Sequence, residues 1–243
     1  MRDKQIPLSD RFVIETRQGA LEDEAYSRGV ANIAGLDEVG RGPLAGPVVA
    51  AAVILPRGFV HPGIKDSKLL SASQREKLAP IIKQNAVSWS LGIVEAEEID
   101  RINIFNASFV AMAKALQCLT PAPDQILVDG KQMIPPEMFP TNKTFGAALP
   151  RQKSVIKGDR LCLVIAAASI VAKVTRDEIM VQLDQSYPEY GFAVHKGYAS
   201  PSHLDALRRL GPSPVHRRSF QPVRDACVET AGSDDIGSLF DKR

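Results

Sequence analysis

The feature that most constrains the fold is a pair of apolar segments separated by a short turn rich in glycine and proline. Residues 32–39 and 47–55 each have the length and composition of a strand, and the turn between them reads GRGPLAG. So short a link favours antiparallel pairing, because a parallel connection needs a longer crossover. We therefore predict that the chain begins its sheet with an antiparallel pair.

The segments that follow alternate between helical and extended patterns. Three more strands are predicted, at 86–94, 124–130 and 154–159, and the run at 124–130 is typical of a buried parallel strand. Helical patterns cover 66–85 with an N-cap at Ser71 or Ser73, 95–119, about 161–183, and 200–211 closed by Gly211. The order ββ-α-β-α-β-β-α predicts a mixed α/β domain with a helical C-terminal elaboration.

Two helical patterns carry apolar stripes that we interpret as core packing. The spacing of three to four residues is that of one helix face. The stripes run through Phe105, Phe109, Met112, Leu116 and Leu119, and through Val164, Ala168, Val171, Val174 and Val181.

Composition excludes several classes of protein. The chain has 243 residues, 44% of them hydrophobic, which is enough for one substantial core. No apolar run has the roughly 20 residues of a membrane helix, and the first residues lack the apolar stretch of a secretory signal. The three cysteines are scattered, which argues against disulfides and zinc and for a cytoplasmic protein. The net charge of +2 says little about partners.

Four acids stand at predicted strand ends or turns: Asp37, Glu38, Asp129 and Asp159. Strand ends are where open α/β sheets bind ligands. Carboxylates gathered there repel each other unless a cation neutralises them. Since no His or Cys pair lies nearby, the ligand set is all oxygen, which selects Mg²⁺ or Mn²⁺. Two such ions hold both the attacking water and the leaving oxygen of a phosphodiester.

Each acid also has a simpler interpretation. Asp37 and Glu38 fit a strand that ends in a charged turn, Asp129-Gly130 fits a turn, and Asp159 fits the cap of the following helix. Adjacent strand residues point to opposite faces, so Asp37 and Glu38 share a pocket only if the strand ends or twists there.

The neighbouring motifs are compatible with a nucleic-acid substrate. Gly40 and Gly42 flank Arg41 and let the backbone approach a ribose 2′-OH, although a simple turn explains them as well. Tyr198, in the segment HKGY, fits either stacking on a sugar or base or half-buried packing. Candidate phosphate contacts, each also compatible with plain solvation, are Lys65, Lys68, Lys157, Arg160, Lys173 and Lys196. Ser169 and Lys173 lie one helical turn apart, the spacing of a Ser–Lys hydrolase dyad, but a dyad leaves the acids unexplained.

Seven sequence blocks together resemble the ribonuclease HII family, the type 2 bacterial ribonucleases H. They occur in the family's order and span roughly residues 30–222: GLDEVGRGPLAGPVVAAAVIL, KDSKLLS, ILVDGK, IKGDR, IAAASIVAKVTRD, HKGY and GPSPVHRRSF. The resemblance implies an RNase H-like fold with a mixed five-stranded sheet flanked by helices. It also implies hydrolysis of the RNA strand in RNA–DNA hybrids and incision 5′ to single ribonucleotides in duplex DNA, leaving 3′-hydroxyl and 5′-phosphate ends.

The resemblance also implies roles for individual residues. The metal-binding acids fall on Asp37, Glu38, Asp129 and Asp159, and the Gly-Arg-Gly motif that reads the RNA-to-DNA junction falls on residues 40–42. The junction-sensing tyrosine falls on Tyr198. Apart from what the resemblance implies, we expect substrate contacts from Lys68, Ser169, Lys173 and Lys196. The sequence departs from the family pattern at Lys131, where asparagine is common, and in the block ASPSHL.

Domain boundaries and partners complete these expectations. We expect an N-terminal extension at 1–28, a catalytic domain at 29–222, an acidic tail at 223–243, and a monomer. The tail ends DDIGSLFDKR, which fits a sliding-clamp-binding peptide but also a disordered acidic segment. Two rival functions stay open: a related nuclease that cuts DNA junctions, and a hybrid-binding module with a structural metal.

Overall fold

A mixed five-stranded sheet forms the centre of the described molecule. The computed structural model describes residues 17–139, 145 and 149–227. Its strands are β1 (Ile33–Val39), β2 (Val48–Ile54), β3 (Ser88–Val94), β4 (Gln125–Asp129) and β5 (Arg151–Val155), and their order across the sheet is β3-β2-β1-β4-β5. The predicted fold class is confirmed.

Strand β1 lies in the middle of the sheet and is paired on both sides. It pairs antiparallel with β2, where Asp37 lies opposite Ala51, and parallel with β4. Strand β3 pairs antiparallel with β2, and β5 pairs parallel with β4. The antiparallel pair predicted from the short turn is therefore confirmed.

Helices cover both faces of the sheet. They are α1 (Ala20–Ser27), α2 (Ala72–Asn85), α3 (Ala96–Gln117), α4 (Gly158–Leu161), α5 (Leu163–Ser186), α6 (Phe192–His195) and α7 (Pro201–Leu210), and residues 221–227 are also helical. One core cluster joins α5 and α2 to one face, and a second joins α3 to the other. Because both faces are covered, every residue of β2 is buried.

Helix α5 crosses β1 at very short range. A Cβ atom at Gly35 would collide with the backbone of Val164 and Ile165, so only glycine permits this approach. The start of α5 therefore lies directly against β1, the strand that carries Asp37 and Glu38.

The start of α2 agrees with one of its two predicted caps. Ser71 Oγ accepts a hydrogen bond from the Gln74 N–H at 3.2 Å, and Gln74 Oε1 accepts one from the Ser71 N–H at 2.8 Å. This reciprocal arrangement is a capping box, so Ser71 rather than Ser73 is the N-cap.

Two expectations about local structure were wrong. The fifth strand covers Arg151–Val155 rather than 154–159. Two stripe residues are exposed instead of buried, Phe105 at 40% and Val181 at 42%. Helix α3 is also kinked at Asn103, where φ is +64°.

The expected N-terminal extension contains structure that joins the core. Helix α1 lies within it, and its Ala25 and Tyr26 are buried in the same cluster as α5. The first 16 residues lie outside the described part of the chain. Among the described helices, none is long and apolar enough to span a membrane.

Candidate active site

Three of the predicted acids meet at one edge of the sheet. Asp37 and Glu38 lie near the end of β1, and Asp129 is the last residue of β4. Because β1 and β4 are parallel neighbours, their carboxyl ends lie side by side. Chain direction alone thus places these carboxyl groups in one region.

Asp37 and Glu38 face different surroundings although they are adjacent. Glu38 and Asp129 line the same cleft, which has a volume of about 220 Å³. Asp37 is held on the other side by a hydrogen bond from the Ser169 hydroxyl of α5, and its Oδ1 accepts the Glu38 N–H at 2.8 Å. The strand alternation predicted for this pair is therefore present, yet both carboxyl groups interact electrostatically with Asp129.

Asp159 reaches the site from a helical turn rather than from a strand. It is buried in the first turn of α4. The Gly158 N–H beside it donates to Asp129 Oδ1 at 2.7 Å. Asp159 does not cap α5. The N-cap residue of α5 is Cys162, and no side-chain hydrogen bond caps that end of the helix.

Asp66 is an acid of this region that sequence reasoning missed. It is buried, accepts hydrogen bonds from the Lys68 N–H at 2.9 Å and from Arg160 Nε at 3.0 Å, and hydrogen-bonds to Asp159. Burial alone would raise the pKa of Asp66, but these hydrogen bonds together lower it. Its position within the block KDSKLLS was the signal available in the sequence.

Asp37, Glu38 and Asp159 are destabilised in their charged forms. Burial, followed by repulsion from Glu38 and Asp129, raises the pKa of Asp37 well above its usual value. Burial also raises the pKa of Glu38, against the attraction of Arg41. Burial and the nearby Asp66 and Asp129 raise the pKa of Asp159. Carboxyl groups that repel one another in this way are stabilised by a cation.

The donor chemistry fits a hard divalent cation. Every acid at this edge offers carboxylate oxygens, the ligands preferred by Mg²⁺ and Mn²⁺. Within the described residues, however, no three His, Cys, Asp or Glu side chains already converge as a metal-binding group. The described carboxyl groups therefore interact electrostatically, but they are not already arranged around one metal position.

The glycine loop lies directly beside the acids. Gly40 has φ +98°, and a Cβ there would lie 2.7 Å from the Pro47 carbonyl oxygen, so the position requires glycine. Arg41 is 49% exposed, and its Nη1 donates to Glu38 Oε1 at 3.2 Å. Its guanidinium lies 6.0 Å from the centre of the exposed Phe105 ring.

Tyr198 lies against this loop. Its Cε1 atom would be 3.8 Å from a Cβ built at Gly42, and the side chain is 44% exposed. His195 stabilises the segment that carries it, because its Nδ1 accepts the Gly197 N–H at 3.2 Å while its Nε2 bonds the Tyr190 carbonyl at 2.7 Å. The Tyr198 side chain is therefore partly exposed beside the loop, on a segment that hydrogen bonds hold in place.

The four other predicted substrate contacts differ in their exposure and in the groups that they bind. Lys68 is 82% exposed, with Nζ 3.8 Å from Asp159 Oδ2. Ser169 is buried and shares a 2.8 Å hydrogen bond with Ser67. Lys173 pairs with Asp177 at 2.8 Å. Lys196 Nζ contacts the Ala193 carbonyl.

Four more residues beneath the loops were missed by sequence reasoning. Arg176 and Arg217 are fully buried and donate to loop carbonyls, and His203 and His216 form a buried pair that reaches the Tyr198 carbonyl. Both arginines lie in blocks that resemble the family, but nothing in their spacing distinguishes them from surface cations.

Comparisons with known proteins identify the family. The family model described as Ribonuclease HII matches residues 34–223. The chain belongs to the ribonuclease HII family. Membership makes it a hydrolase of the ribonuclease H class, whose family activity is cleavage of RNA in RNA–DNA hybrids.

Individual relatives are similar over most of the chain. The ribonuclease HII of Anaeromyxobacter sp. is 53% identical over 84% of this chain, although the match spans only 61% of that relative. The Myxococcus xanthus ribonuclease HII is 52% identical over 87% of this chain and 69% of its own length. The Geobacter sulfurreducens ribonuclease HII is 50% identical over 86% of this chain and 91% of its own length.

Solved structures share the fold. The ribonuclease H2 of Pyrococcus horikoshii OT3 has a TM-score of 0.67 at 28% identity, over 82% of this chain and 98% of that one. The ribonuclease HII in the PCNA:RNase HII complex from Archaeoglobus fulgidus has a TM-score of 0.63 at 27% identity, over 78% of this chain and 95% of that one.

Proposed function

We propose that this ribonuclease H is an endonuclease that also incises duplex DNA 5′ to single embedded ribonucleotides. The products carry a 3′-hydroxyl and a 5′-phosphate. The observation that carries the proposal is the position of the Tyr198 ring beside Gly42 of the Gly40–Gly42 loop, next to the acids at the end of β1. A loop that reads a ribose hydroxyl and a ring that stacks on the next sugar or base can then recognise the junction together.

Asp37, Glu38, Asp129 and Asp159 are the residues that would hold the divalent ions, Mg²⁺ or Mn²⁺. Two such ions supply an activated water and stabilise charge on the leaving 3′ oxygen. The chain's own groups orient these acids: the Ser169 hydroxyl hydrogen-bonds to Asp37, and the Gly158 N–H donates to Asp129. Burial and mutual repulsion raise the pKa values of Asp37 and Asp159, and a bound cation, which stabilises their charged forms, would lower those pKa values.

The substrate contacts divide by chemistry. Gly40 and Gly42 offer backbone groups to the ribose, and Arg41 is exposed beside them. Lys68, Lys173 and Lys196 are the proposed phosphate contacts. Ser169, being buried, acts through Asp37 rather than by touching the substrate.

The decisive assay uses duplex DNA with one ribonucleotide, with and without Mg²⁺, and maps the cut. We expect cleavage on the 5′ side of the ribonucleotide that EDTA abolishes. Cleavage of the matched all-DNA duplex would favour a DNA-junction nuclease. Binding of the hybrid without Mg²⁺-dependent turnover would favour a binding module.

Four further expectations remain proposals. We propose cytoplasmic action, a monomer, a catalytic domain at 29–222, and clamp binding by the C-terminal tail. The tail beyond residue 227 lies outside the described residues. The relative solved as a PCNA:RNase HII complex supports the clamp proposal. Deleting residues 232–243 should abolish binding to a purified sliding clamp but leave hybrid cleavage unchanged, and unaltered clamp binding would end the idea.

A further inference from the structure

Two buried arginines lie beneath the loops of the candidate active site. Arg176 and Arg217 are the largest fully buried side chains of the described residues, and both are 0% exposed. In the part of the chain that the structure describes, neither forms an ion pair with a carboxylate; the ion pairs found there involve other cations. Their hydrogen bonds go to backbone carbonyl groups instead.

The Arg217 guanidinium donates its hydrogen bonds to the loop of residues 40–46 between β1 and β2. Its Nη2 donates to the Gly40 carbonyl at 2.6 Å and to the Gly46 carbonyl at 2.8 Å. Its Nη1 donates to the Arg41 carbonyl at 3.1 Å, and its Nε donates to Gly46 at 3.0 Å. One planar guanidinium therefore holds both ends of the loop that contains the Gly-Arg-Gly motif.

Arg176 joins that loop to the segment that carries Tyr198. Its Nε donates to the Pro47 carbonyl at 2.9 Å and its Nη2 to Ala45 at 3.2 Å. Its Nη1 donates to the Lys196 carbonyl at 3.0 Å. It also packs against Gly40, where a Cβ would collide with its Nε.

Burying two like charges side by side is unfavourable for stability. Burial, and then the neighbouring Arg176, lower the pKa of Arg217 to about 9. Apolar residues of the same volume are often at least as stabilising as buried charges. What the guanidiniums provide instead is N–H donors held in a fixed planar geometry. These donors bind carbonyl groups of two segments that lie close together at Gly42 and Tyr198.

We propose that Arg176 and Arg217 are positioning residues that hold the Gly40–Gly42 backbone and Tyr198 in register, so that both contact one ribonucleotide junction. The inference rests on the proposed function, because it assigns the two arginines to junction recognition. Neither arginine touches the substrate, since both are completely buried. They act through the loop carbonyls that they bind.

A double-mutant cycle between Arg176→Lys and Tyr198→Ala tests the link to Tyr198. Lysine keeps the charge but lacks the fork that reaches both segments. On the single-ribonucleotide duplex we expect Arg176→Lys to lower kcat/KM about tenfold or more, since small misplacements cost up to ~100-fold. The double variant should lose clearly less than the product of the two single losses, because coupled residues are not additive.

The outcomes separate this inference from the proposed function. If the wild-type enzyme leaves the single-ribonucleotide duplex uncut, the proposed function fails. If the wild type cuts it but the losses of the two single variants multiply, the proposed function stands and the positioning role is overturned.

A loss of folded protein is excluded by the ratio of kcat/KM on the single-ribonucleotide duplex to kcat/KM on the all-RNA hybrid. Each variant is assayed on the single-ribonucleotide duplex and on an all-RNA hybrid, so that the folded fraction cancels. Ile82→Ala, a buried change in α2 within the cluster that packs α2 and α5 on the sheet, serves as a destabilised control with an unchanged ratio. A ratio that stays at the wild-type value in Arg176→Lys would overturn the proposal.

Arg217 is tested by comparing lysine with an uncharged side chain. Arg217→Lys and Arg217→Met should lower the ratio of activity on the single-ribonucleotide duplex to activity on the all-RNA hybrid by a similar factor. Neither side chain has the guanidinium fork that binds the Gly40 and Gly46 carbonyl groups together. Activity of Arg217→Lys close to that of the wild type, with Arg217→Met impaired, would show that charge alone matters and would overturn the positioning role of Arg217.

Discussion

Among single residues, Asp37 is the acid under the greatest electrostatic constraint. It is next to Glu38, interacts with Asp129, and receives a hydrogen bond from the buried Ser169 hydroxyl. Burial is the largest cause of its raised pKa. An acid in this position gains most from a bound cation, which is why we place it at the centre of the proposed chemistry.

The Asp37→Asn variant should lose hybrid cleavage by at least about a thousandfold, because metal-assisted charge stabilisation is worth several kcal/mol. Hybrid binding measured by fluorescence anisotropy should change little. Asp205→Asn, at an exposed position of α7, is the matched control and should cleave normally. Near-normal turnover of Asp37→Asn would refute its role.

Tyr198→Ala should weaken cleavage chiefly on single-ribonucleotide duplexes, by about tenfold, since loss of one stacking contact costs ~1–3 kcal/mol. Tyr198→Phe keeps the ring and should remain close to the wild type. The measurement is kcat/KM on both substrates. An equal loss on all-RNA hybrids would count against a junction role.

The acids and the arginines differ in how far the sequence reveals them. Asp37 and Asp129 end apolar runs, where a polar residue is conspicuous, and the sheet then brings them together. Arg176 and Arg217 are surrounded by other charged residues in the chain, as in the segment VHRRSF. Their burial depends on which loops fold over them, and local spacing does not encode that.

At the scale of elements, a chain of hydrogen bonds supports the segment that carries Tyr198. The Ser213 N–H lies 3.0 Å from His216 Nδ1, which must accept it, so the His216 proton is on Nε2. His216 Nε2 then donates to His203 Nε2 at 3.0 Å, and His203 Nδ1 donates to the Tyr198 carbonyl at 2.8 Å. This network requires both imidazoles to be neutral.

The contribution of this histidine pair to the free energy of unfolding should therefore fall as the pH is lowered from about 6.5 towards 3. Burial lowers the pKa of His216 to about 3 and also lowers that of His203, so the unfolded chain binds more protons than the folded one in this range. Each such histidine contributes up to about 1.4 kcal/mol per pH unit. Urea unfolding at pH 5, 6, 7 and 8 measures this slope.

A matched pair of variants assigns the slope to this histidine pair. His216→Asn removes one titrating group of the pair and should flatten the pH dependence between pH 5 and 6.5. His61→Asn, in the segment between β2 and α2, is the matched histidine control outside this network. A His216→Asn slope identical to that of the wild type would contradict the assignment.

Strand β5 shows why one element was misplaced. Its sequence, RQKSV, is polar and mostly solvent-facing because the strand lies at the edge of the sheet. The apolar and glycine-containing run that follows it looked more like a strand from sequence. The polarity of edge strands is a general obstacle to recognising them by apolar pattern.

At the scale of the whole molecule, the site combines acids from separate parts of the chain. Asp37 and Glu38 come from β1, Asp129 from β4, and Asp159 from α4. Their mutual repulsion opposes folding until a cation binds, so metal binding and stability are linked.

Mg²⁺ should raise the melting temperature of the wild-type protein, because a ligand at a hundred times its Kd adds about 2.7 kcal/mol to the free energy of unfolding. The increase should be larger at higher pH, because cations bind the charged carboxylates of Asp37 and Asp159, whose pKa values are raised. Differential scanning fluorimetry with and without Mg²⁺ measures it. An equal increase in Asp37→Asn would mean that the ion binds elsewhere.

The amino-acid sequence by itself determined the strand pair around GRGPLAG, the mixed α/β class, the four acids and the family blocks, because these depend on local pattern and on residue chemistry. Tertiary structure alone decided that Asp66 joins Asp159, that Phe105 is exposed beside Arg41, and that two arginines and two histidines lie beneath the loops. Those contacts join residues far apart in the chain, so their energies depend on packing that no local pattern specifies.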